Sequence, residues 1–518
     1  MSDLDYAALN HTIPSNTHQR FIQTLIGTND SPFLQSILAV YASAGLPAPD
    51  NVQLADIMGR CQGFQEAYAV SPDKVWGSFE ALSAQLSPAD TPPPVEGRLQ
   101  GHVRVASESY TRPYWRDARG PCHVQLCSFF PALRIFRDDR PRFDRNMDLI
   151  QEHFDGARIF TAVGGTTSWG MDGQGWRGRE VVPSTLVNDR QQTIHAWNDY
   201  DEIFQGVLSQ FRQRRLKVFL TAGDLQYFFP AGDGEKSFVH RIARLSKPFG
   251  HIVLAFETAN ERWQNAYHGS DVRRAQQMLL EFRRENAAPS RLLSAPSTGE
   301  EPEGLREWSQ APATICTVHG RRQSWVDAIR RVFNLSYEFA VGSAFPMGLI
   351  QGEPTGPGPD VYQRTTNKHE LFGIYMMHLL CGQASVYLNS AGIRCKENLG
   401  TGWGFKQLKA LGRNIPSDVG TFHLIPGHLD AAPLRADSYE DQGAGPHRVD
   451  AAVSQDGRFV SMVYGGQGAW KIRARQHISY RLVSADGLEE EQRVQAQEYL
   501  PELRNASQKA RLIVGQYL

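Results

Sequence analysis

Between residues 123 and 389 lie eight short apolar runs, most followed by a stretch whose apolar residues recur at helical spacing. The runs are HVQLCSFF (123–130), ARIFTAV (157–163), KVFLTAG (217–223), HIVLAFE (251–257), RLLSAPS (291–297), ATICTVH (313–319), FPMGLIQGE (345–353) and ASVYLN (384–389). Between them stand FDRNMDLIQEHF, YDEIFQGVLSQFRQRR, RRAQQMLLEFRREN and HELFGIYMMHLL, among others. Runs apolar along their whole length mark strands of a parallel sheet buried on both faces. Eight strand–helix units over about 300 residues fit a (β/α)₈ barrel better than an open doubly wound sheet. No Gly-rich dinucleotide fingerprint follows the first strand, and GQGWRG at 173–178 falls in a long loop after the second.

The flanking regions have different textures. Residues 17–87 read as several short amphipathic helices, among them FLQSILAVYASAG and VWGSFEALSAQL, with Ser71 as an N-cap ahead of Pro72. SPADTPPPVEG (87–97) is a proline-stiffened linker. A hairpin around Asp117-x-x-Gly120 leads into the first strand. From about residue 420, short runs with Gly, Asp-Gly and Pro punctuation, including the turn SQDGRF (454–459), predict a small antiparallel β-sandwich. The expected division is a helical module over 1–90, the catalytic barrel over 98–415 and the sandwich over 420–518.

Lys plus Arg is 54 against 55 for Asp plus Glu, a net charge of −1, so charge gives no case for nucleic acid or an anionic membrane. None of the six cysteines forms a C-x-x-C pair, and no metal or cofactor is expected. Cys127, Cys316 and Cys381 sit in apolar runs as buried thiols, and Cys122–Cys127 or Cys381–Cys395 are the pairs near enough in sequence for a disulfide. The start MSDLDYAALN has no signal-peptide pattern, and no apolar run is long enough to cross a membrane. The expectation is a soluble protein, cytoplasmic or released by another route.

In a (β/α)₈ barrel the chemistry lies at the C-terminal ends of the strands. The fourth strand runs out as FETANERW, placing Glu261 there, and the seventh as LIQGEPTG, placing Glu353 there. They are 92 residues apart, three units of about 31, so they face each other across the barrel. Two carboxylates across a sugar-sized gap suit glycoside hydrolysis, one as acid and one as base or nucleophile.

The pair Asn260-Glu261 closing the fourth strand, with a second Glu closing the seventh, resembles clan A glycoside hydrolases, the clan of family 5 cellulases and mannanases. The resemblance covers residues 98–415. It implies a retaining enzyme that cleaves β-glycosidic bonds of an oligo- or polysaccharide, with Glu261 as acid/base and Glu353 as nucleophile. It assigns Asn260 to the sugar 2-hydroxyl. It gives Arg158, opening the second strand, to positioning the nucleophile, and His319, ending the sixth, to hydrogen-bonding it. Glu257 corresponds to an acidic residue of the clan, here expected to pair with Arg158. Two positions depart from family 5: the third strand ends TAGDLQYF without its usual His, and Asn389 stands about where the eighth strand usually carries a Trp. Trp169, Trp176, Tyr227, Phe228 and Trp263, in strand-end loops, are candidates to stack on sugar faces. The partner implied is a carbohydrate, and the N-terminal helices are expected to offer a docking surface for another protein or a second copy. The competing reading is an inactive carbohydrate-binding or structural barrel of a larger assembly. A transglycosylase shares the first half of the mechanism.

Overall fold

The structure is a computed structural model. It describes residues 98–518 apart from 107–112, 164–179, 188–190, 192, 224–232, 262–271, 287–291, 295–296, 300–314, 321–323, 343–347, 355–364, 394–397, 401, 438–446, 466–470, 501–502 and 504–508. The expected N-terminal helices, the linker, and Trp169, Trp176, Tyr227, Phe228 and Trp263 lie outside the described residues.

The described chain opens with a three-stranded antiparallel sheet, β1 Arg104–Ala106, β2 Tyr114–Asp117 and β3 Gly120–Pro121. Asp117 sets the β2–β3 turn, its carboxylate accepting from the Arg119 and Gln100 backbone N–H groups at 2.8 and 2.9 Å. The eight apolar runs then supply eight parallel strands. In chain order these are β4 Gln125–Ser128, β5 Gly156–Phe160, β8 Lys217–Thr221, β9 Val253–Glu257, β10 Leu292–Ser294, β11 Ile315–Val318, β12 Gly348–Gln351 and β13 Ala384–Tyr387. They close into one barrel, β13 pairing with β4. A two-stranded ribbon, β6 Leu186–Val187 and β7 Thr193–Ile194, interrupts the loop after β5. The helices are α1 Ala132–Asp138, α2 Arg140–His153, α3 Tyr200–Gln213, α4 Asp233–Ser246, α5 Val272–Glu285, α6 Trp325–Gly342, α7 Lys368–Leu380 and the short α8 Leu408–Gly412. Local chemistry starts two of them. The Asp139 side chain caps α2 by accepting from Arg142 N, and Asn367 caps α7 by accepting from His369 N.

The barrel interior changes character along its length. In its lower half Leu126, Phe219, Ala255, Leu292, Ile315, Ile350 and Val386 pack with Val103 and Trp115 of the leading sheet. That sheet therefore plugs the N-terminal mouth. Two residues further along the same strands stand Ser128, Thr221, Glu257, Ser294 and Thr317, with Arg158 on β5, all essentially buried. A period of two keeps these side chains on the inner face, so the sequence turns the barrel from dry to polar toward its C-terminal end.

Beyond the barrel, β14 His423–Pro426, β16 His447–Val453, β17 Arg458–Gly465, β19 Ile478–Ser484, β20 Gly487–Leu488, β21 Gln492–Val494 and β22 Arg511–Tyr517 form one seven-stranded antiparallel sheet. β15 Leu434–Ala436 and β18 Ile472–Ala474 form a separate two-stranded ribbon. The expected antiparallel β region is present, as one large sheet and a small two-stranded ribbon. On β17, Phe459 and Val463 pack under the ribbon, whereas Val460, Met462 and Tyr464 join the core that contains α7. The second face of the large sheet is thus covered by a barrel helix. α7 is buried over ten successive residues, Leu371–Leu380, because it is covered by the barrel and by the sheet. The Cys122 and Cys127 thiols are free, which removes the Cys122–Cys127 pairing, and Cys395 of the other expected pair lies outside the described residues. No described helix is long and apolar enough to cross a membrane.

That burial has a pH consequence. His378 on α7 is 1% exposed, its Nδ1 is 3.2 Å from Gln383 Oε1, and its Nε2 has no partner among the described residues. Burial pushes its pKa down to about 4. In the unfolded chain the imidazole takes a proton near pH 6.5, so stability contributed above that pH is lost as pH falls toward the folded value. The loss is expected to be about 1.4 kcal/mol per pH unit, roughly 3 kcal/mol across the window. Urea denaturation of His378→Phe should depend less on pH between 7 and 4.5 than that of the wild type. Equal pH dependence in the two proteins would refute this account.

Candidate active site

The polar upper half of the barrel is organised around Arg158. β5 begins at Gly156, so Arg158 is its third residue and fully buried, not at the strand's edge. Its Nη2 donates to Glu257 Oε2 at 2.7 Å and to Asn260 Oδ1 at 2.9 Å. Its Nη1 donates to Glu353 Oε1 at 3.3 Å and its Nε to Thr221 Oγ1 at 3.0 Å. The Thr221 hydroxyl in turn donates to Glu257 Oε2 at 2.7 Å. The guanidinium also lies 5.2–5.5 Å from the ring centroids of Phe130, Phe160 and Phe219. A planar five-donor fork suits this place, because it meets several acceptors at fixed angles.

Glu261 and Glu353 follow the ends of β9 and β12 and are 5% and 2% exposed. Glu261 has φ +40°, in the left-handed region that side chains other than glycine rarely occupy. Such a residue costs about 1–3 kcal/mol and persists where neighbours over-determine it. Here Glu261 N donates to Ser297 Oγ at 2.8 Å, and Asn260 N to Gly223 O at 3.2 Å. The turn swings the Glu261 carboxylate to His319, whose Nδ1 is 3.0 Å from Glu261 Oε1 and 3.9 Å from Glu353 Oε2. One ligand atom each from Glu261, His319 and Glu353 lies within 4.8 Å of the others. His319 was expected beside Glu353 and stands closer to Glu261.

Of the residues singled out from sequence, Arg158, Asn260, Glu261, His319 and Glu353 converge, with Glu257 joined through Arg158. Asn389 stands at the same end of the barrel, just beyond β13, without a described contact to them. Its Oδ1 accepts from Gly392 N at 2.8 Å, its backbone N donates to Ser128 Oγ at 3.2 Å, and its Nδ2 is buried with no partner among the described residues. Trp169 and Trp263 lie outside the described residues. Sequence reasoning missed Thr221 and Ser297. Thr221 carried a signal: it sits two residues past Phe219 on one strand face. Ser297 gave none, since its role depends on the turn at Glu261.

No protein-family model matches the chain, and no curated protein matches its sequence. Solved structures match in fold. One glycoside hydrolase superposes with a TM-score of 0.56 at 10% identity, over 80% of this chain and 97% of its own. A family 5 glycoside hydrolase from Bacteroides vulgatus gives 0.51 at 10% identity, over 80% and 94%. α-Galactosidase I from Mortierella vinacea gives 0.46 at 8% identity, over 76% and 96%. At these identities the likeness is one of fold: the chain has a glycoside-hydrolase-like (β/α)₈ barrel with an antiparallel β domain.

Proposed function

We propose that the protein is a retaining glycoside hydrolase of clan A type, acting on β-glycosidic bonds of an oligo- or polysaccharide. The observation that carries this reading is the convergence of Glu261, His319 and Glu353 at the C-terminal end of the barrel. Retaining enzymes keep their carboxyl groups roughly 5–5.5 Å apart and inverting ones roughly 6.5–9.5 Å, to admit a water. One carboxylate oxygen of Glu261 lies within 4.8 Å of one of Glu353, close enough for the short class.

On this reading Glu353, held by Arg158, attacks the anomeric carbon while Glu261 gives its proton to the departing oxygen. Glu261 then takes a proton from the water that attacks the glycosyl-enzyme ester. The 3.0 Å hydrogen bond between His319 Nδ1 and Glu261 Oε1 fixes the direction of that carboxyl group. Asn260, anchored through Oδ1 on Arg158, stands next to Glu261 as the residue for the sugar 2-hydroxyl.

A panel of aryl β-glycosides and polysaccharides tests the activity, and proton NMR of the first-formed product tests retention. Glu261→Gln should slow substrates with poor leaving groups by about 10²–10⁴-fold, the usual range for general acid catalysis, and activated aryl glycosides far less in the first step. Azide should rescue Glu261→Gly with retained configuration. Glycine is the better background than alanine because φ at this position is positive. Equal losses across all leaving groups would remove Glu261 from the acid role.

A further inference from the structure

We propose that the Glu261–His319–Glu353 constellation is also a binding site for a divalent transition-metal ion of the Zn²⁺ class. No metal-binding spacing is visible along the chain, because the three donors come from three separate strand ends. In space they form a mixed donor set of one imidazole nitrogen and two carboxylate oxygens, all buried. Tetrahedral Zn²⁺ with Zn–N and Zn–O bonds of roughly 2.0–2.2 Å places its ligand atoms about 3.4 Å apart. The distances from His319 Nδ1, 3.0 Å to Glu261 Oε1 and 3.9 Å to Glu353 Oε2, bracket that value.

The surroundings fit the same ion. Arg158 holds Glu353 by Oε1, which leaves Oε2 as the oxygen turned to His319. Ligating carboxylates are commonly fixed by such an outer partner. Ca²⁺ takes about 6–8 oxygen ligands and Mg²⁺ a near-octahedral oxygen shell, whereas imidazole with carboxylates suits Zn²⁺, Co²⁺ and their neighbours. Three protein ligands leave a fourth position for water. The ion would displace the proton shared between His319 Nδ1 and Glu261 Oε1, so loading releases a proton and weakens on acidification. Bound there, it would occupy both carboxylates and block turnover.

The site extends the hydrolase reading, but its test does not use turnover. The full-length protein, stripped with EDTA, is titrated with Co²⁺ and followed by visible absorption, then with Zn²⁺ in competition. One ion per chain is expected, with the intense d–d bands of a four-coordinate site. His319→Gln should weaken binding by at least the roughly 10–100-fold typical of losing an outer partner alone. His423→Gln, at an exposed position on β14, should leave binding unchanged. X-ray absorption of the Zn²⁺-loaded wild type needs no variant and should show nitrogen and oxygen ligands without sulfur. Absence of saturable binding, undiminished binding in folded His319→Gln, or sulfur ligation would overturn the proposal. Binding without any glycoside turnover would keep this site and remove the hydrolase reading.

Discussion

Glu353→Gln is expected to abolish formation of the glycosyl-enzyme and to lower turnover of a proven substrate by on the order of 10⁵-fold, as loss of a nucleophile does elsewhere. The amide keeps the shape of the side chain and can still meet Arg158, but it cannot form the ester with the anomeric carbon. The loss should therefore appear for good and poor leaving groups alike, unlike the loss in Glu261→Gln. Mass spectrometry after a 2-fluoro glycoside provides the direct measurement: a mass increase of one sugar on the peptide carrying Glu353 in the wild type, and none in the variant. Labelling elsewhere, or unchanged turnover in Glu353→Gln, would remove the carboxylate pair from the chemistry.

The second large effect is on stability. Arg158 is 0% exposed and bonds Glu257, also 0% exposed, and Glu353, 2% exposed. Removing one member of a buried ion pair leaves an uncompensated charge and costs about 3–5 kcal/mol. Arg158→Met should lose that much in urea denaturation, because it strands two carboxylates and also the Thr221 and Asn260 acceptors. Arg158→Lys should recover part of the stability, since it restores the charge. It should recover less of the turnover, because an ammonium cannot hold Glu257, Asn260 and Glu353 in one plane. An Arg158→Met protein as stable as the wild type would show that the network contributes nothing net.

The architecture was legible because its signals are local. Each barrel strand is an apolar run bounded by polar residues, and each of the eight runs named from sequence overlaps a strand of the barrel, seven of them containing it whole and β5 starting one residue earlier. The turn at SQDGRF lies between β16 and β17, with Gly457 at φ +84°. β15, β20 and β21 were not legible: each is two or three residues long, too short for an alternation. The arrangement of the C-terminal region, a large sheet with a ribbon on one face, was hidden for a different reason. β17 is buried on both faces, and nothing in its own residues says that one cover is a ribbon and the other a barrel helix. In the site, strand ends located Glu261 and Glu353. The contact of His319 with Glu261 depends on a left-handed backbone turn at a glutamate, which no propensity predicts.

The plugged floor of the barrel has a consequence for traffic. Val103 and Trp115 seal the lower end against Leu126, Phe219 and Leu254, so among the described residues no passage runs along the barrel axis. Whatever reaches Glu261 and Glu353 along that axis arrives through the C-terminal opening and departs through it. On the hydrolase reading, a polymer cannot thread the barrel and must lie across the opening. The first product has to withdraw from the side by which the second water comes in. The order of departure, and not only the bond chemistry, then decides whether water or a second sugar meets the covalent intermediate.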